Sequence, residues 1–272
     1  MNHINFEAIE AQLSLLAERF CIAEPFQYVI VDEFLHRSSL NLLISEMPQP
    51  DQANKSSDYV FAKNKFENPT FSGEGGIFLE LKQELLSQRF ADVLSRILGK
   101  AVHVDPKFVG GGIHQGGEGS FLDMHADFSR HPTHNEWLRE LNILLYLNRD
   151  YDESFGGHLE LQDANTGKRG RIAPLENRLV LMLTKGHTLH GYKPISFPVG
   201  KYRTSLAAYA YSVDTDFAAA PARSTLWKPE QANMAKTIVA KMAPTLVRLK
   251  NKLMGSSTAR RAISKDESIS KK

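Results

Sequence analysis

Between residues 101 and 212 the chain reads AVHV (101–104), KFVGGGI (107–113), SFLDMHAD (120–127), LNILLYL (141–147), HLELQ (158–162), RLVLMLT (178–184) and TSLAAYAYS (204–212). Each run is short and rich in residues that suit pleated backbone. Clusters of Gly, Pro, Asn and Asp separate most of them. Many short strands with turn signals and no helical spacing between them form the pattern of an all-β sandwich or barrel. The pattern predicts a jelly roll over residues 101–213.

Upstream the period changes to that of helices. Phe6, Ile9, Leu13, Leu16 and Phe20 recur at helical spacing, which predicts one amphipathic helix over residues 4–20, ended by Pro25. YVIV (28–31) reads as a strand, and residues 38–47 as a short helix with Ser38 as its N-cap. Residues 49–76 are rich in Pro, Asn, Ser, Gly and Lys and read as a long loop. Residues 78–98 read as one helix, stopped by Gly99. Residues 1–100 are thus expected to be helices and a strand packed on the core.

Downstream, residues 214–272 read as a helical extension. Ile238, Met242, Leu246, Leu249 and Leu253 make one stripe, which Pro244 should kink. Beyond Gly255 the sequence is polar, charged and expected to be disordered. From Pro229 to Lys272 there are ten Lys or Arg against three acidic residues, so this end carries about +7 and the rest about −5. The expected fold class is mainly β with flanking helices.

The 272 residues carry a net charge of +2, which makes no case for a nucleic-acid partner. A single cysteine, Cys21, rules out an intrachain disulfide framework and fits a reducing cytoplasm. The opening MNHINFEAIE has no apolar signal core. Runs such as LNILLYL are far shorter than a membrane span.

The sharpest chemical feature is His125-Ala126-Asp127. On a strand, residues i and i+2 point to one face, so an imidazole and a carboxylate converge. One further ligand would complete the two-histidine, one-carboxylate facial triad of non-haem Fe(II) oxygenases, which leaves three positions open. A closed tetrahedral structural site has no such vacancy. His187 and His190, after RLVLMLT, are both candidates for the third ligand. Three residues apart on an extended strand, they face opposite sides, and His190 is preferred for the glycine that follows it and its distance to the next arginine, Arg203. Arg203 opens a strand whose own face continues with Ser205, Ala207, Tyr209 and Tyr211. A buried guanidinium demands an anion, and a dicarboxylic cosubstrate offers one.

With these features in place, the sequence resembles the 2-oxoglutarate/Fe(II) oxygenases of the prolyl-4-hydroxylase-like superfamily, especially bacterial members. The matching stretches are GGIHQGGEGSFLDMHADFSRH (111–131), RELNILLYLNRDYDESFGGHLELQD (139–163), PLENRLVLML (174–183), TLHGY (188–192) and PVGKYRTSLAAYAYS (198–212), with EPFQYVIVDEFL (24–35) before them. The resemblance implies a double-stranded β-helix core and a dioxygenase that hydroxylates a substrate while turning 2-oxoglutarate into succinate and CO2. It implies His125, Asp127 and His190 as iron ligands and Arg203 as the anchor of the far carboxylate of 2-oxoglutarate, with Tyr146 hydrogen-bonding the same group. Fe(II), 2-oxoglutarate and L-ascorbate are the implied cofactors, and O2 and a protein side chain or small molecule the implied partners, with a lean to peptidyl proline. Arg139 matches an arginine of relatives, but alternation assigns it to the face opposite Tyr146. Gly156-Gly157 matches a turn. His187 is a departure, standing either beside the ligand set or in it.

Three other readings compete. A cupin-like module with a vestigial metal predicts no succinate release. A nucleotide site at residues 110–119 lacks a following GK[ST] and opens no helix. A zinc site using His131 and His134 is weaker than their lying in solvent. Residues 49–76 and 128–137 are expected to shape the entrance, with Phe128, Arg130 and Trp137 as possible substrate contacts.

Overall fold

The two-residue period of the central runs becomes an antiparallel sheet that curls on itself. In the computed structural model of this chain, residues 2–50, 55, 61–69, 76–214, 216 and 222–228 are described. The strands are β1 (Tyr28–Val31), β2 (Ala62–Asn68), β3 (His103–Val104), β4 (Gly112–Ala126), β5 (Trp137–Tyr146), β6 (Leu159–Asp163), β7 (Arg169–Ile172), β8 (Arg178–Leu183), β9 (Thr188–Tyr192), β10 (Arg203–Val213) and β11 (Leu226–Trp227). Their order is β1-β8-β5-β10-β4-β9-β6-β7, with β2 and β11 also on β4 and β3 on β10. The fifteen-residue β4 makes the curl. Its first half pairs with β10, and its second half with β9. The fold is the expected jelly roll with flanking helices.

Both faces of the β5-β8-β10 region are buried, each by a different partner. Leu141, Ile143, Leu145, Leu179, Leu181 and Leu206 meet the helices α1 (Phe6–Ala11), α2 (Leu13–Ile22), α3 (Arg37–Ser45), α4 (Gly76–Leu85) and α5 (Gln88–Leu98) in the main core. Tyr146, Val180 and Met182 face inward and pack on Leu159, Leu161, Ile172 and Phe26. This is why LNILLYL and RLVLML are continuous apolar runs rather than alternating ones. Each such side chain contributes about 1.5–3 kcal/mol by leaving water.

Several local expectations are corrected. The first helix is two, α1 and α2, meeting at Gln12. The helix expected over 78–98 is α4 and α5, because the Ser87 hydroxyl accepts from Phe90 N–H and starts a new helix. Gly99 does close α5, at φ 74°. The 38–47 helix is Arg37–Ser45, with His36 rather than Ser38 at the cap position and no side-chain cap. The expected loop over 49–76 contains β2, paired with β4. Its apolar signal is weak because Lys65 and Glu67, one pleat apart, form an ion pair at 2.7 Å. The apolar stripe from Ile238 to Leu253 lies outside the described residues. Among the described residues no helix is long and apolar enough to cross a membrane.

Candidate iron and cosubstrate site

Two strands place the three candidate ligands. His125 lies near the end of β4 with Asp127 just past it, and His190 is directly opposite His125 on β9. The two imidazole centroids are 4.3 Å apart. Nε2 of His125 is 3.5 Å from Oδ1 of Asp127, and Nε2 of His190 is 3.6 Å from Oδ2. One donor atom from each of the three falls within 4.8 Å of the others. The Nδ1 of His125 is 2.9 Å from the Asp123 carbonyl, which orients the ring with Nε2 inward.

The protonation states suit a cation. Burial works against the Asp127 carboxylate, but Arg139, His190 and His125 hold its pKa well below the usual range. Burial, with the charge of His125, pushes His190 down to about 3, so it is a neutral imidazole with a lone pair to give. Two imidazoles and one carboxylate, with no fourth donor in the cluster among the described residues, fit the donor set that open ferrous sites use.

A buried cation sits on the same inner wall. Arg203, only 6 % exposed, opens β10 opposite Gly116. Its Nε donates to the Gly157 carbonyl at 2.6 Å, and an Nη donates to the Tyr146 hydroxyl at 3.2 Å. Its guanidinium lies 4.2 Å from the centre of the Tyr192 ring. A side chain at Gly157, where φ is +78°, would come within 3.0 Å of Arg203 Cδ, so this turn needs glycine for both reasons. No carboxylate pairs with Arg203 among the described residues. Burial raises the pKa of Tyr146, which keeps it a phenol and a hydrogen-bond donor.

Sequence reasoning missed three contributors. Arg139 does not face away from the site. The pairing of β5 with β10 slips by one residue between Ala210 and Tyr211, so the alternation that assigned Arg139 outward is reversed. Arg139 instead forms an ion pair with Asp127 at 3.2 Å and is clamped between the rings of Phe128 and Tyr209. Asn142, on the same strand, donates to Asp127 Oδ2 at 2.7 Å and receives the Thr184 hydroxyl. Trp227, on the two-residue β11, stacks at 4.8 Å on His125 and at 4.7 Å on Phe61. A two-residue strand leaves no periodic signal.

Other expected participants lie elsewhere. His187 is outside the cluster. His131 is buried rather than solvent-exposed and pairs with Asp105 at 3.2 Å, while Trp137 stacks on His134. Arg130 is buried against Asp214 at 2.7 Å. Phe128 serves Arg139.

Fold and site together define a non-haem iron oxygenase. Residues 111–211 match the model of the 2OG-Fe(II) oxygenase superfamily. Similar solved structures include a prolyl hydroxylase from Trichoplax adhaerens in complex with a hypoxia inducible factor peptide fragment (17 % identity, 76 % of this chain, 91 % of that one, TM-score 0.53). A prolyl-4-hydroxylase from Pseudomonas putida is likewise similar (16 %, 74 % and 98 %, TM-score 0.51). So is an oxidoreductase of the 2OG-Fe(II) oxygenase family from Burkholderia pseudomallei (14 %, 73 % and 90 %, TM-score 0.51). No curated protein matches the sequence. The match assigns residues 111–211 to a 2OG-Fe(II) oxygenase domain, and the activity that goes with it is that of a dioxygenase using Fe(II) and 2-oxoglutarate.

Proposed function

We propose that His125, Asp127 and His190 hold the iron, that Arg203 and Tyr146 hold the far carboxylate of 2-oxoglutarate, and that the substrate is proline within a peptide. One observation carries the site assignment. A three-donor cluster within 4.8 Å stands on β4 and β9, and β10, paired with β4, carries a buried guanidinium that has no anionic partner among the described residues. An uncompensated buried cation is costly, and a dicarboxylate removes that cost.

When bound, iron with 2-oxoglutarate and O2 supplies oxidation of a C–H bond, coupled to decarboxylation of the cosubstrate to succinate and CO2. The protein supplies geometry. Asn142 and Arg139 both engage Oδ2 of Asp127 and so would hold its carboxylate in place for the metal. Trp227 stacks on His125, with Phe61 stacked on Trp227, and covers that side of the ring. Arg203 and Tyr146 would hold the far carboxylate of the cosubstrate, and placement of the target carbon would then select the product. The peptidyl-proline reading rests on fold likeness to prolyl hydroxylases, one of them solved with a peptide. L-ascorbate is assigned as the reductant that keeps iron ferrous. The lone, exposed Cys21 supports the cytoplasm as the compartment.

The test loads the protein with Fe(II) under argon, titrates 2-oxoglutarate, then admits O2 with proline-containing peptides. Succinate release with a peptide gain of one oxygen is expected. Succinate release only with free amino acids or other small molecules overturns the peptide assignment and leaves the class intact.

A further inference from the structure

Near the proposed iron ligands the chain carries a second cation with no ion pair among the described residues, Arg223. It is half-buried, and desolvation followed by the charge of Arg139 outweighs Asp127 to lower its pKa below that of a free arginine. Asp127 and Arg139 are the charged groups that reach it, and those two pair with each other at 3.2 Å. Its side chain has only a long contact, 3.4 Å, with the Ser224 carbonyl, and no carboxylate among the described residues. The backbone under it is fixed. Its N–H donates to Ser129 Oγ at 2.8 Å, and the Ser129 N–H donates to its carbonyl at 2.9 Å. Arg223 is therefore tied to a residue two positions after Asp127. One flank is bare, because Gly186 stands beside it with no side chain.

A partly desolvated guanidinium on a fixed backbone, with no carboxylate partner among the described residues, is an anion receptor waiting for its anion. Arg203 already answers to the cosubstrate, and Arg139 to Asp127. We infer that Arg223 receives an anionic group, a carboxylate or a phosphate, on the primary substrate and thereby selects acidic substrates. The inference deepens the proposed function and rests on its placement of the iron. On this reading a peptide substrate carries an acidic residue or a phosphorylated residue beside the oxidised carbon.

Two variants test it. Arg223→Met removes the receptor. Gly186→Asp leaves Arg223 in place and supplies a carboxylate at a position whose Cβ would stand 3.5 Å from Arg223 Nε, an ordinary contact. The full chain, loaded anaerobically with Fe(II) and saturating 2-oxoglutarate, is titrated by calorimetry with acetate, phosphate and neutral acetamide at constant ionic strength. Wild type is expected to bind acetate, phosphate or both, but not acetamide. Both variants are expected to bind at least about tenfold more weakly, the equivalent of one charge-assisted contact. Acetate alone points to a carboxylate on the substrate, and phosphate alone to a phosphate. Equal binding by wild type and both variants, or no anion binding by wild type, overturns the inference. If wild type takes up no 2-oxoglutarate, the cosubstrate assignment fails separately, and the same anion titration without cosubstrate still decides Arg223.

Discussion

Arg139 meets Asp127 at 3.2 Å from a strand position that simple alternation turns away from the site. The slip in the β5–β10 register brings it inward, and the rings of Phe128 and Tyr209 hold it there at 3.8 and 3.6 Å. The same slip leaves the neighbouring Glu140 to Lys100, Lys185 and Ser212. One local irregularity thus sends two adjacent charges to two different tasks.

Arg139→Met should cost about 3–5 kcal/mol of stability, because it strands a buried carboxylate. It should also reduce iron retention, since Asp127 loses an orienting partner. Thermal unfolding with and without Fe(II), and iron content after dialysis, check both. An unchanged melting temperature contradicts the pairing.

Arg203→Ala should weaken 2-oxoglutarate binding by about 1.5–3 kcal/mol or more, which is roughly tenfold to over a hundredfold. Tyr146→Phe should cost less, about 0.5–1.5 kcal/mol, as one neutral hydrogen bond. Anaerobic titration of the Fe(II) protein measures each.

His190→Ala should lose iron, whereas His187→Ala should keep it. His190 opposes His125 directly across two strands, and His187 lies outside the donor cluster. Metal analysis of the two variants settles the third ligand. Retention by His190→Ala removes it from the triad.

Trp227 stacks on a proposed iron ligand, and the second of the chain's two tryptophans, Trp137, packs on His134. Anaerobic Fe(II) should therefore quench mainly Trp227 fluorescence. In Trp227→Phe most of the quench should vanish; a full quench in that variant contradicts the stacking.

Glu140 sets an acid-side limit to stability. Burial would raise its pKa, but Lys100, Lys185 and Ser212 lower it from the ordinary 4.5. A depressed carboxyl contributes stability above its unfolded pKa and loses it as pH falls through the folded value. Wild-type melting temperature should drop as pH falls below 4.5, and Glu140→Gln should be less stable at pH 7 with a flatter acid-side slope. Parallel slopes for the two proteins exclude this role.

Much of this molecule is local enough to be read from residues alone. Period two against period 3.6 separates the jelly roll from its helices, because side-chain direction follows backbone pitch. His125 and Asp127 fall on one face by alternation, and Gly99 ends a helix by its tolerance of positive φ. What alternation cannot carry is an interruption of alternation. Only the folded sheet reveals the slip that turns Arg139 inward. Only the fold shows that β2 is a strand whose Lys65 and Glu67 answer each other at 2.7 Å, and that residues 222–228 return to lay Trp227 on His125 and Arg223 beside Gly186 and Ser129. These depend on contacts between residues far apart in the chain, and no property of a short window encodes a partner that tertiary packing has yet to supply.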